Sequence, residues 1–184
     1  MIRNIIFCFF LIYAEFCFAD SIPNIQVENF SFYVDSGNLK LNGILCIPSS
    51  SQISEKKVVI MQTPPYPSDA DYHGMYSELA EVFAHSGIAS LRFENRAKNL
   101  NISGEDQADD LHDAFLSLKR DRRFATYKIG LLGHSEGGSA VAIESSKNND
   151  IAFAIILSSC GIKGTDFIYY QSTLRIDYLK LHSI

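Results

Sequence analysis

Ile129-Gly130-Leu131-Leu132-Gly133-His134-Ser135-Glu136-Gly137-Gly138 decides the reading of this chain. An apolar run leads into G-x-S-x-G, and Ser139-Ala140-Val141-Ala142-Ile143 continues with the small and apolar residues of a packed helix. Strand, sharp turn and helix in that order are the context of a nucleophile elbow. A serine at such a bend has a strained backbone and crowded neighbours. Glycine two positions before it and two after removes the Cβ atoms that would collide. The Ser135 hydroxyl is then expected to project from the sheet edge, with a backbone N–H behind it facing the reacting oxygen. The plainer alternative is a tight turn whose serine caps the helix, but glycine on both sides plus His134 exceeds what a cap needs.

Outward from the elbow, two kinds of segment alternate. Val58-Val59-Ile60-Met61 is continuous and β-branched, as in a strand buried on both faces. Met75, Leu79 and Val82, with Tyr76, Ala80 and Phe83 beside them, follow helical spacing, and Gly87 is placed to end that helix. Residues 88–93 read as the next strand. Ser103-Gly104-Glu105-Asp106 resembles a helix cap ahead of the stripe Ala108, Leu111, Phe115 and Leu118. Residues 151–157 close the series. Strands alternating with helices of this length predict a mostly parallel sheet with helices on both faces, an α/β fold. Upstream, residues 29–34 alternate apolar and polar, Asp35-Ser36-Gly37-Asn38 supplies turn chemistry, and residues 39–47 resume the alternation. That is an N-terminal antiparallel hairpin.

With 184 residues, 47% of them apolar and 20% charged, the chain suits one globular domain. A net charge of −5 without a basic cluster gives nucleic acid no electrostatic hold. The five histidines show no metal-ligand spacing, so neither a metal nor a cofactor is expected. Arg3, the apolar stretch 5–14 and Cys17-Phe18-Ala19 before Asp20 read as a secretory signal peptide over residues 1–19. The domain then occupies residues 20–184 and is exported, to the periplasm or the medium. The apolar stretch is about half the length that spans a bilayer, so no stable membrane span is expected. Cys8 and Cys17 would leave with the signal, and Cys46 and Cys160, at the ends of apolar strands, read as buried free thiols. Asn29-Phe30-Ser31 and Asn101-Ile102-Ser103 match the glycosylation acceptor pattern.

A serine so placed implies attack on an ester, thioester or amide carbonyl of a small-molecule or peptide acyl substrate, through an acyl-enzyme on Ser135. The Glu136 backbone N–H would hold the oxyanion with a second donor from the loop after Val58–Met61. Each such donor is worth on the order of 3 kcal/mol of transition-state stabilisation. His134 adjoins the nucleophile, so the turn directs its ring elsewhere, into packing beneath the elbow. The Glu136 side chain is read as lining the site entrance.

From about Leu39 to Asp166 the chain resembles the bacterial α/β-hydrolases related to the prolyl-oligopeptidase and serine aminopeptidase groups. Leu41-Asn42-Gly43-Ile44-Leu45, Gly87-Ile88-Ala89-Ser90-Leu91-Arg92-Phe93 and residues 129–138 carry the resemblance. It implies an α/β-hydrolase-like fold, a Ser–Asp–His triad and acyl-transfer chemistry, and leaves the substrate open.

Three departures stand against that pattern. Where such proteins have a glycine-rich segment after the first buried strand, this chain has Gln62-Thr63-Pro64-Pro65-Tyr66-Pro67. Proline carries no N–H. If Pro65 falls at the donor position, only the Tyr66 N–H can serve, after a shift of the loop; equally, the prolines build a rigid turn with no catalytic duty. After Phe93, Glu94-Asn95-Arg96-Ala97 replaces the usual acidic residue and Asp-Arg-Gly, and Arg96 is read as holding loops together. Finally, the triad runs Ser, then acid, then His in chain order. Asp166, Asp177 and His182 follow Ser135, but not on loops after later strands, and are not expected to complete a triad. The tail from Tyr169, with Leu174, Tyr178 and Leu181 on one face, reads as the start of a cap helix cut short. The expectation is a serine hydrolase fold incomplete at its C-terminus, its triad acid and base missing. The alternatives are a non-catalytic or vestigial protein on the same fold, and an acyltransferase using the same serine.

Overall fold

The computed structural model describes residues 25–49, 55–65, 67–96 and 102–182. The expected signal peptide, Tyr66, Ala97 and Asn101 lie outside the described residues. Strands β1 (Gln26–Val34) and β2 (Leu39–Ile47) form the hairpin, with Asp35, Ser36 and Gly37 turning the chain at positive φ. Strand β3 (Lys57–Gln62), helix α1 (Met75–His85), strand β4 (Ala89–Phe93), helix α2 (Gly104–Arg120), strand β5 (Lys128–His134), helix α3 (Glu136–Lys147) and strand β6 (Phe153–Leu157) follow in alternation. Helix α4 (Gly164–His182) comes last. The six strands make one sheet ordered β1-β2-β4-β3-β5-β6. β2 joins β4 antiparallel, whereas β4, β3, β5 and β6 run parallel.

The central strands are apolar throughout because both their faces are covered. Val58 and Ile60 point to the face that carries Leu111, Ala114, Phe115 and Leu118 of α2 and Ala140 and Val141 of α3. Val59 and Met61 point to the other, against Tyr76, Ala80 and Ala84 of α1. Each large aliphatic side chain so buried contributes about 1.5–3 kcal/mol. α2 starts where its cap predicts. Ser103 Oγ accepts from Asp106 N at 3.1 Å, and the Asp106 carboxylate accepts from the Ser103 N–H at 2.8 Å.

The structure corrects three details. On α1 the expected Met75, Leu79 and Phe83 pack beside the fully buried Tyr76, Ala80 and Ala84, but Val82 is 59% exposed. The two alanines let the helix backbone approach the sheet, and Tyr76 has a polar partner that hydropathy does not register. Cys46 is buried, its thiol pushed up by desolvation, but Cys160 is only half-buried, in the loop after β6. The tail is helical as expected, but α4 begins at Gly164, ahead of Tyr169, and its Leu174, Tyr178 and Leu181 are exposed.

Candidate active site

β5 ends at His134 and α3 begins at Glu136, so Ser135 alone makes the turn. Its φ of 55° and ψ of −124° lie where side chains other than glycine are strained. The crowding has two sources. A Cβ on Gly133 would lie 2.3 Å from the Gly137 carbonyl oxygen, and one on Gly137 would lie 2.5 Å from the Gln62 carbonyl oxygen. Neither position has room for any side chain. The Ser135 N–H donates to Leu157 O at 2.8 Å and its carbonyl accepts from the Gly138 N–H at 3.0 Å, which ties the turn to β6 and α3. Ser135 and Glu136 are both exposed, and Ser135 Oγ has no hydrogen-bond partner among the described residues. Glu136 opens α3, where N–H groups have no partner within the helix.

His134 sits below this turn. Its Nδ1 lies 3.3 Å from the Tyr72 hydroxyl and the two rings pack 5.9 Å apart, centre to centre. The Tyr76 hydroxyl accepts from the His134 N–H at 3.3 Å and donates to the Gln62 carbonyl at 2.6 Å. The ring is therefore part of the support beneath the serine.

The segment after β3 is held from behind at three successive carbonyls. Gln62 O takes the Tyr76 hydroxyl, and Thr63 O accepts from Gln107 Nε2 and from Gln62 Nε2, both at 3.0 Å. Pro64 O accepts from Asn95 Nδ2 at 2.7 Å. Asn95 and Gln107 are buried, and neither stood out in the sequence as a functional residue. Asn95 lies within the departure Glu94-Asn95-Arg96-Ala97, which was the one available signal. Arg96 forms a two-pronged ion pair with Asp110 of α2, its Nε 2.8 Å from Oδ2. Burial pushes the Asp110 carboxyl up to about 6, against the opposing pull of the guanidinium.

A cavity of about 630 Å³ opens at the serine. Ser135, Glu136, Ser139 and Ser159 are among its polar lining, with Ser139 and Ser159 Oγ 3.3 Å apart, and Ala142, Ile143, Ile162, Phe167 and Ile168 supply apolar surface. Cys160 also reaches it, and no histidine lines it among the described residues. Asp166 and Asp177 stand exposed on α4, Asp177 facing Lys180 at 4.0 Å, and His182 is the last residue of that helix. Among the described residues no His, Cys, Asp or Glu group is arranged to hold a metal ion, and no helix is long and apolar enough to cross a membrane.

No family model matches the chain, and no curated protein matches it. Solved structures do. An α/β hydrolase, GrgF, from a Penicillium species superposes with a TM-score of 0.59 at 24% identity, over 73% of this chain and 46% of that one. The Pyrococcus furiosus esterase Pf2001 gives 0.62 at 19% identity, over 73% and 52%. A dienelactone hydrolase from Anabaena variabilis gives 0.62 at 21% identity, over 75% and 64%. The fold is that of the α/β-hydrolases, and the chain spans about half the length of the first two structures.

Proposed function

We propose that Ser135 is an acyl-accepting nucleophile and that the chain belongs to the esterase or peptidase-like side of the α/β-hydrolases. The observation that carries this reading is the strained, exposed serine on a turn whose glycines admit no side chain, set at the mouth of a largely apolar cavity. Backbone strain at an exposed polar residue is kept where the surrounding structure enforces it, as at reactive sites. In the reaction Ser135 Oγ bonds to the carbonyl carbon and loses its proton to the departing alkoxide, thiolate or amine as that bond breaks. Water then splits the acyl-enzyme, returning the proton to Ser135 and releasing the acid. The Glu136 N–H holds the oxyanion, and the Tyr66 N–H is the proposed second donor. The apolar wall of Ile143, Phe167 and Ile168 suits an uncharged acyl group, and the Glu136 carboxylate disfavours an anionic one. The N-terminal apolar stretch supports export of the protein.

A serine hydroxyl without a neighbouring base is a weak nucleophile at neutral pH, so this reading calls for an acid and a base that the described residues do not bring to Ser135. The absence of an N–H at Pro64 and Pro65 favours a second reading, a non-catalytic protein on the same fold. Incubation with an uncharged fluorophosphonate followed by intact-mass measurement separates the two. A single adduct lost in Ser135→Ala is expected. No adduct on the folded chain would establish the non-catalytic reading. Ester turnover in the presence of an alcohol then distinguishes release of free acid from acyl transfer.

A further inference from the structure

Three further hydroxyls stand in the cavity beside Ser135. Ser158 follows β6 as Ser135 follows β5, and His134 pairs with Leu157 in the parallel register, so the two serines leave the sheet on neighbouring strands. Such strands lie about 4.8 Å apart. Ser158 is exposed and has a φ of 50°, in the left-handed region that few residues other than glycine enter. Its Oγ has no hydrogen-bond partner among the described residues. Ser139 and Ser159 supply the other two hydroxyls, their Oγ atoms 3.3 Å apart. We propose that Ser139, Ser158 and Ser159 form a hydroxyl-lined subsite that selects acyl groups carrying a hydrogen-bonding oxygen near the carbonyl and an apolar tail beyond it. This rests on the acyl-transfer reading above and names its substrate class.

The serine pair is built into the fold. A Cβ on Gly138 would lie 2.7 Å from Ser159 Cβ and 3.0 Å from its Oγ, so the absence of a side chain there lets the loop after β6 close on α3. That approach sets Ser159 against Ser139, one helical turn past the nucleophile. One hydrogen of the pair is taken up between the two oxygens, which leaves the other hydrogen and the remaining lone pairs for a ligand. Ser158 contributes another donor. An alkyl chain laid over these groups would displace their water and leave them unpartnered, whereas an ether, hydroxyl or carbonyl oxygen accepts from them.

Position along α3 sets where that oxygen belongs. At about 1.5 Å of rise per residue, Ser139 lies about 6 Å and Ile143 about 12 Å along the helix from Ser135. An extended chain advances about 1.2 Å per bond, so the hydroxyls meet about the third to fifth atom of the acyl group. The atoms that follow reach Ile143, and Phe167 and Ile168 of α4 line the same cavity.

The test uses uncharged alkyl fluorophosphonates, whose phosphorus takes the place of the acyl carbon. Ser135 Oγ bonds to phosphorus as fluoride leaves, and the hydroxyl proton passes to water. An octyl reagent is compared with two analogues in which an ether oxygen replaces the methylene at the fourth or the eighth atom, counting phosphorus as the first. Labelling rates are read by intact mass, each divided by the reagent's own hydrolysis rate, for wild type and for the triple variant Ser139→Ala, Ser158→Ala, Ser159→Ala. The rate ratio of the fourth-atom ether to the octyl reagent is expected to be about three- to tenfold higher in wild type than in the variant, the effect of one net hydrogen bond. In wild type the eighth-atom ether should label more slowly than the octyl reagent. Equal ratios in wild type and variant overturn the proposal. If the triple variant does not melt cooperatively, the two ethers on wild type decide: a severalfold preference for the fourth-atom ether supports the subsite, and equal rates overturn it. A wild-type chain labelled by none of the three reagents sinks the acyl-transfer reading itself, and this inference with it. Label from all three without preference sinks only the subsite.

Discussion

The elbow and α4 both line one cavity and could hardly be held more differently. At the elbow, Gly133, Ser135 and Gly137 are fixed by backbone atoms of β5, α3, β6 and the segment after β3. Along α4, Ile168, Tyr169, Leu174, Tyr178 and Leu181 are all more than half exposed. Both stretches carry a clear sequence pattern. Only in the first do local pattern and tertiary surroundings require the same geometry. Periodicity names the face a helix would bury; it does not supply what that face is buried against.

Substitutions at the elbow and on α4, with Gly161→Ala as a control, sharpen this contrast. The largest effect is expected at Gly137. Gly137→Ala forces a methyl onto the Gln62 carbonyl and should lower unfolding free energy in urea by about 3 kcal/mol or more, as overpacking against backbone does at the upper end of its range. Gly161→Ala, in the loop before α4 with nothing within 4 Å of its added Cβ, should leave the urea midpoint nearly unchanged. Equal losses at both positions would erase the distinction between the two walls. A smaller effect of opposite sign is expected at the turn itself. Ser135→Gly relieves the strained φ and ψ and should stabilise the fold by about 1 kcal/mol while removing the labelling site. A destabilised Ser135→Gly chain would mean that the turn is not strained. On α4, Leu174→Ser with Leu181→Ser should shift stability by no more than about 0.5 kcal/mol and reduce binding of a hydrophobic dye. A loss of several kcal/mol there would show that this face is packed.

The order of strands and helices was legible because three strands carry unbroken apolar runs and the helices carry stripes of the right period. The hairpin, the Ser103 cap and the α2 stripe could be read for the same reason, since each is written in residues close together in the chain. Within α1 only Val82 was misplaced, and the role of Tyr76 was hidden because its buried hydroxyl finds its partners in β3 and β5, which no single-helix pattern displays. Asn95 was seen only as a missing aspartate. Its meaning depends on a carbonyl 31 residues earlier, and such a pairing leaves no local trace. Cys160 was assigned to a buried strand end, but β6 is the last strand of the described sheet and the loop beyond it opens to the cavity.

The carbonyls of residues 62, 63 and 64 are each grasped by a different part of the molecule, which leaves this corner no hinge of its own. It should therefore lose its order together with the domain, in one transition. Heat or denaturant would then abolish labelling at Ser135 along the same curve that reports collapse of the sheet, with no earlier step in which the reactive end loosens while the remainder stands.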